Sequence, residues 1–175
     1  MTGLIERVVL ALGSNLGDRA VTLAGAVRDI ADLPGATLVM VSPTYESVAV
    51  KVDGVDDSAP RYLNSVLTID YRGDAYELLD AVNAIEAAHG RVRAERWGAR
   101  TLDIDLIVFG QLIVDDDRLT LPHPRAAERD FVLAPWADID AEAAIPGHGL
   151  VRELLAATGN TVRRAVDAPA SGGPR

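Results

Sequence analysis

The chain has 175 residues, 49% hydrophobic and 25% charged, with a formal net charge of −9 and no cysteine. That size and balance suit one soluble globular domain with a proper core, while the negative charge excludes general binding to nucleic acid or anionic membranes. The missing cysteines exclude disulfides, zinc–thiolate sites and a thiol nucleophile; residues 1–12 are too short an apolar run for a signal peptide and nothing approaches a membrane span, so a cytoplasmic location is expected.

Val8, Val9, Leu10, Ala11 and Leu12 read as a short buried strand. It runs into a turn-rich loop, residues 13–19, whose Asp18 is placed to cap a helix. That helix is expected over 19–32, with Leu23, Val27 and Ile30 at helical spacing and Pro34 and Gly35 ending it. The loop's glycine, serine and asparagine suit an anion cradle, but the P-loop spacing and its lysine are missing, and a tight strand-to-helix turn explains it better. A second strand follows over 37–46, with Ser42 and Pro43 marking an edge position or a bulge. Residues 47–61 lose periodicity and gather Lys51, Asp53, Asp56, Asp57 and Pro60, the pattern of a lid or binding loop or of a mobile insertion. Residues 62–71 alternate well enough for a strand. Asp74 and Glu77 then form a capping box that opens a helix with Leu78, Val82 and Ile85 as its buried stripe and Gly90 as its C-cap. Glu86, near the end of this helix, reads as a surface carboxylate from its composition alone.

The stretch 90–110 organises the rest. Arg91, Arg93, Arg96 and Arg100 form a dense positive block in an acidic protein, and Glu95 can neutralise one of the four. Residues 101–109 then read as a central strand carrying Asp103 and Asp105. With a side-chain period of two, both carboxylates share one face roughly 7 Å apart along the backbone. A lone D-x-D pair is commonplace, and the arginines alone suit a solvated loop. A buried strand, however, rarely spends two positions on unpaired charge. Paired aspartates holding Mg²⁺ beside arginines that clamp phosphates are the parts of phosphoryl or nucleotidyl transfer.

Residues 111–117 suit a short strand and turn, and 118–124 an extended run with His123 between two prolines. A histidine so held is more often a structural hydrogen-bonder, although Arg118, Thr120 and His123 bring cation, hydroxyl and imidazole within six residues. Short helices are expected over 129–137 and 150–157. The order β-α-β-β-α-β plus trailing pieces points to an α+β, ferredoxin-like three-layer sandwich, a mostly antiparallel central sheet with helices packed on its faces. Residues 1–166 are expected to form a single domain and 167–175 a disordered tail.

The chain resembles the 6-hydroxymethyl-7,8-dihydropterin pyrophosphokinases of folate biosynthesis. The resemblance rests on residues 12–18 (LGSNLGD), Tyr62-Leu63-Asn64, residues 90–93 (GRVR), 95–98 (ERWG) and 100–105 (RTLDID), Pro122-His123-Pro124-Arg125, Glu128-Arg129 and Phe131-Val132-Leu133. In this order and spacing the combination is highly specific. The resemblance implies Mg²⁺-dependent transfer of pyrophosphate from ATP to the pterin's hydroxymethyl oxygen, with AMP released. It implies two Mg²⁺ ions held by Asp103 and Asp105, with Arg91 and Arg100 stabilising the transferring group. It further implies that Arg93 and Trp97 belong to a loop closing over the substrates, Trp97 reaching both. Tyr62 and Phe131 match the rings that sandwich the pterin, Asn64 its edge-reading amide, and Ser47, Val48 and Val50 a strand end touching it through backbone. Asn83, Glu86, Leu106, Arg118, Thr120, His123 and Arg129 match positions around ATP.

The partners so implied are ATP and the pterin, with no nucleic acid and no membrane, and a monomer is expected. Two departures stand out: Val48-Ala49-Val50 replaces prolines found in many relatives and leads into a longer loop, and Arg61 stands where an acidic residue is common. A palm-like nucleotidyltransferase or cyclase would also set paired aspartates on a ferredoxin-like sheet, but needs either a nucleic-acid groove, which the net charge disfavours, or a second nucleotide pocket. A non-catalytic small-molecule-binding module is the third reading. Pterin-dependent AMP release separates the three.

Overall fold

The strand β1, Ile5–Ser14, lies in the middle of a six-stranded sheet because both its faces are apolar: Val8, Leu10 and Leu12 point one way, Val9 and Ala11 the other. A computed structural model describes residues 3–51, 54–56, 58, 60–90 and 101–165. After β1 come α1 (Arg19–Ala31), β2 (Ala36–Val41), β3 (Tyr45–Ser47), β4 (Ala49–Lys51), β5 (Gly54–Asp56), β6 (Tyr62–Arg72) and α2 (Ala75–Ala88). The rest of the chain adds β7 (Asp103–Phe109), β8 (Val114–Asp115), β9 (Thr120–Leu121), α3 (Asp130–Ile139), β10 (Ala144–Ile145), β11 (Gly149–Leu150), α4 (Val151–Ala157) and β12 (Arg163–Arg164).

β6 pairs antiparallel with β1 along its whole length, from Ile5 opposite Arg72 to Ser14 opposite Leu63. β7 flanks β1 on the other side, and β2 and β3 share the outer side of β6. The order β2/β3–β6–β1–β7 is the ferredoxin-like arrangement expected from β-α-β-β-α-β. α1 and α2 cover one face, burying Leu23, Ala26, Ile30, Leu78 and Val82 against Leu10, Leu67 and Ile69. α3 and α4 cover the other, burying Val132, Leu133, Trp136 and Val151 against Val9, Val66, Ile107 and Val108. The result is the expected three-layer α+β sandwich.

Local signals set the helix starts. The Asp18 carboxylate accepts the Val21 N–H at 3.1 Å. Asp74 accepts from Tyr76 and Glu77 at 2.8 and 2.9 Å while Glu77 accepts the Asp74 N–H, the full capping box. Beyond α2, His89 caps and Gly90 follows at φ +81, a left-handed turn that glycine enters without strain. No helix among the described residues is long and apolar enough to cross a membrane.

Three expectations change. The strand at 101–109 is not central: among the described residues β7 ends the sheet, paired with β1 alone in the ladder. It looked central because both faces are buried and its outer side is covered, the His123 N–H reaching the Ile107 carbonyl at 2.9 Å. The strand expected over 37–46 splits into β2 and β3, because Ser42 leaves the ladder and its hydroxyl accepts the Val66 N–H at 2.9 Å. Within 47–61, β4 and β5 pair as a small hairpin. The expected tail, 167–175, lies outside the described residues.

Candidate active site

The C-terminal end of β1 provides the floor. Gly13 lies opposite Asp103 on one side and Asn64 on the other, and Ala11 opposite Asp105 and Val66. All six therefore share the sheet face that carries α3. The two aspartates stand half-buried beside neighbours with almost no side chain, which leaves room above the strand. A Cβ on Gly13 would come within 3.4 Å of the Asn64 amide oxygen and 3.6 Å of the Tyr62 ring, so any larger side chain there crowds both.

Asp105 faces two residues from beyond β9. Its carboxylate lies 3.2 Å from Arg129 Nη1 and 3.8 Å from His123 Nε2. Burial, reinforced by the cations Arg129 and Arg125 and opposed by Asp103, pushes the His123 pKa down to about 4. The ring is thus neutral near pH 7. Its Nδ1 accepts the Arg125 N–H at 3.2 Å, which assigns the ring proton to Nε2, on the Asp105 side. Arg129 also lies over the Phe131 ring, 5.5 Å from its centroid.

Phe131 stands half-buried in the first turn of α3, and Tyr62 half-buried at the start of β6 opposite Ser47. Asn64 is 5% exposed, and its amide donates to Ser47 Oγ at 2.8 Å and to the Tyr45 carbonyl at 3.3 Å. Tyr45 in turn donates its hydroxyl to Asp138 of α3 at 2.6 Å, with Arg164 3.5 Å from the same carboxylate. Burial first, and Asp138 second, push the Tyr45 phenol up to about 12. Val48 is half-buried just beyond β3.

The remaining expected residues separate into groups. Arg118 is tied to Asp80 of α2 at 2.8 Å and lies over the Tyr76 ring. Thr120 donates to Asp115 at 2.9 Å, and Asn83 is exposed on α2. Leu106, 5% exposed, is part of the core under α2. Glu86 is no surface carboxylate: it is 1% exposed and accepts the Ile104 N–H at 2.7 Å. Its position four residues after Val82 continues the stripe of Leu78 and Val82, so helical spacing alone places it inward. Arg91, Arg93, Trp97 and Arg100 lie outside the described residues, as does the Val50 side chain. Sequence reasoning missed Tyr45 and Asp138, whose only signal is an alternation cut short by Pro43.

Two oxygen donors side by side suit Mg²⁺, which binds through one or two carboxylates, keeps several waters and completes its shell with substrate phosphates. Among the described residues no three histidines or acids converge as an all-protein cage. The residues fit such an ion.

A family model for 7,8-dihydro-6-hydroxymethylpterin-pyrophosphokinase matches residues 9–141. The chain is 42% identical over 154 residues to the 2-amino-4-hydroxy-6-hydroxymethyldihydropteridine pyrophosphokinase of Pseudomonas aeruginosa, covering 88% of this chain and 93% of that one. It is 43% identical over 152 residues to the Methylorubrum extorquens protein of the same name, covering 87% and 93%. Among solved structures, the wild-type Plasmodium falciparum HPPK-DHPS chain with pterin and p-hydroxybenzoate superposes with a TM-score of 0.67 at 15% identity. That match covers 88% of this chain and 43% of the Plasmodium one, and it supports the fold.

Proposed function

The chain belongs to the 7,8-dihydro-6-hydroxymethylpterin-pyrophosphokinase family, and on that premise we propose that it moves the terminal pyrophosphate of ATP onto the hydroxymethyl oxygen of the dihydropterin in a Mg²⁺-dependent reaction that releases AMP. The activity itself, an ATP-dependent pyrophosphokinase of folate biosynthesis, is that of its family. The observation that carries the finer reading is the pair Asp103 and Asp105 on one face above Gly13 and Ala11, with Arg129 alongside.

In this reading the hydroxymethyl oxygen attacks the β-phosphorus in line, the bond from that phosphorus to the α–β bridging oxygen breaks, AMP leaves and the hydroxyl proton is released. Asp103 and Asp105 would hold Mg²⁺, which would supply neutralisation of the phosphate charge there. Arg129, paired to Asp105 and braced on Phe131, offers its remaining N–H groups to phosphate. His123, neutral and with its proton on Nε2, contributes a hydrogen-bond donor rather than a charge. Arg91 and Arg100 stabilise the transferring group, and Arg93 and Trp97 close over the substrates to exclude water. Phe131 and Tyr62 stack the pterin, whose edge is read by the Asn64 amide, held in place by Ser47 and the Tyr45 carbonyl.

The test is AMP release from ATP, Mg²⁺ and 6-hydroxymethyl-7,8-dihydropterin, with EDTA and no-pterin controls. AMP that appears only with both metal and pterin supports the reading. Folded protein that releases none, or releases AMP without pterin, refutes it.

A further inference from the structure

Glu86 occupies a position that is costly twice over. A carboxylate 1% exposed has lost nearly all its water. It also stands in the last turn of α2, Ala75–Ala88, where the outward carbonyls repel negative charge. An aliphatic residue would extend the stripe of Leu78 and Val82 at neither cost. One contact the carboxylate makes is with the N–H of Ile104, accepted at 2.7 Å. Ile104 stands between Asp103 and Asp105 on β7, and its side chain points into the opposite core. Among the described residues β7 is the last strand of the sheet, so an N–H turned away from β1 meets no strand there.

We propose that Glu86 is a positioning residue for the two aspartates, acting through the Ile104 amide and not by touching ATP. Fixing that amide sets the pleat of β7 at the one residue whose rotation would turn both neighbouring carboxylates. The same contact joins the end of α2, from which residues 91–100 depart, to the strand on which the aspartates stand. This rests on the reading of Asp103 and Asp105 as the Mg²⁺ ligands.

The experiment compares Glu86→Gln, which keeps an acceptor oxygen, with Glu86→Leu, which removes it. Wild-type AMP release is measured first, so failure of the reaction itself is recognised separately. Glu86→Leu is expected to lose about 10–100-fold in kcat, or to need that much more Mg²⁺, the usual range when a partner that orients metal ligands is removed. Its KM for ATP is expected to stay within about twofold, and Glu86→Gln to recover most of the loss. In metal-free protein, the Ile104 amide proton is expected downfield and slow to exchange in the wild type and in Glu86→Gln, and faster to exchange in Glu86→Leu. Wild-type kinetics in Glu86→Leu overturn the proposal, as does a Glu86→Gln variant whose chief defect is a raised KM for ATP. If Glu86→Leu does not fold, the wild-type amide still decides: exchange as fast as in exposed loops refutes the contact.

Discussion

His123 ties the stability of the metal-free protein to pH in a calculable way. In the unfolded chain the imidazole protonates near 6.5, whereas in the folded protein burial and the cations Arg129 and Arg125 hold it neutral down to about 4. Between those values the unfolded state binds the extra proton, so stability rises with pH. The contribution is complete above about pH 6.5 and is lost as pH falls toward 4. Each pH unit in this window is worth about 1.4 kcal/mol, which makes the whole window of about 2.5 units worth at most about 3.5 kcal/mol. The side chain is 19% exposed, so solvent screening lowers that ceiling rather than removing it. Urea unfolding of metal-free wild type and His123→Gln from pH 4.5 to 7.5 reads the effect directly. Carboxylates titrate in both proteins, and the difference between the curves isolates the imidazole. The wild type is expected to lose about 1–3 kcal/mol more than the variant on acidification. Parallel curves would refute the assigned burial of a neutral ring.

Asp103→Ala and Asp105→Ala are each expected to abolish AMP release; near-wild-type rates at saturating Mg²⁺ would sink the metal assignment. Arg91→Ala and Arg100→Ala are expected to lower kcat more than they raise the KM for ATP, and the reverse pattern would make them ground-state binders. Phe131→Ala is expected to raise the KM for the pterin about tenfold, roughly the worth of a lost aromatic stack, with the KM for ATP changing less; steady-state titration of each substrate separates the two. Asp74→Ala removes the acceptor for two N–H groups at the start of α2 and is expected to lower stability by about 1–2 kcal/mol in denaturant titration, while an unchanged midpoint would contradict the cap.

The layers were legible because they depend on local rules. Leu23, Val27 and Ile30, or Asp74 with Glu77, declare a helix whatever packs on it, and five apolar residues at 8–12 declare a buried strand. Strand order is less local. From Leu106 onward β7 is apolar on both sides, and its edge groups are met by residues distant in sequence, Glu86 at the Ile104 N–H and the His123 N–H at the Ile107 carbonyl. β4 and β5 span three residues each, too few for alternation to rise above a polar loop. At the site, side-chain chemistry pointed to Asp103 and Asp105 as a pair, but not to the Arg129 guanidinium that meets Asp105 across the fold. Glu86 was misread for a different reason: composition weighs a glutamate as surface, whereas its spacing from Val82 puts it in the core.

The bond between Tyr45 and Asp138 bears on selectivity. Asp138 lies on α3 two turns beyond Phe131, and Tyr45 sits directly across the ladder from Asn64. That hydrogen bond therefore joins the helix that carries the ring to the strand that steadies the amide, adding to the packing of α3 on Val66 of β6. In the proposed reading, where Phe131 and Asn64 hold the pterin, that brace would orient both before the ring arrives and lower the binding energy spent on ordering them.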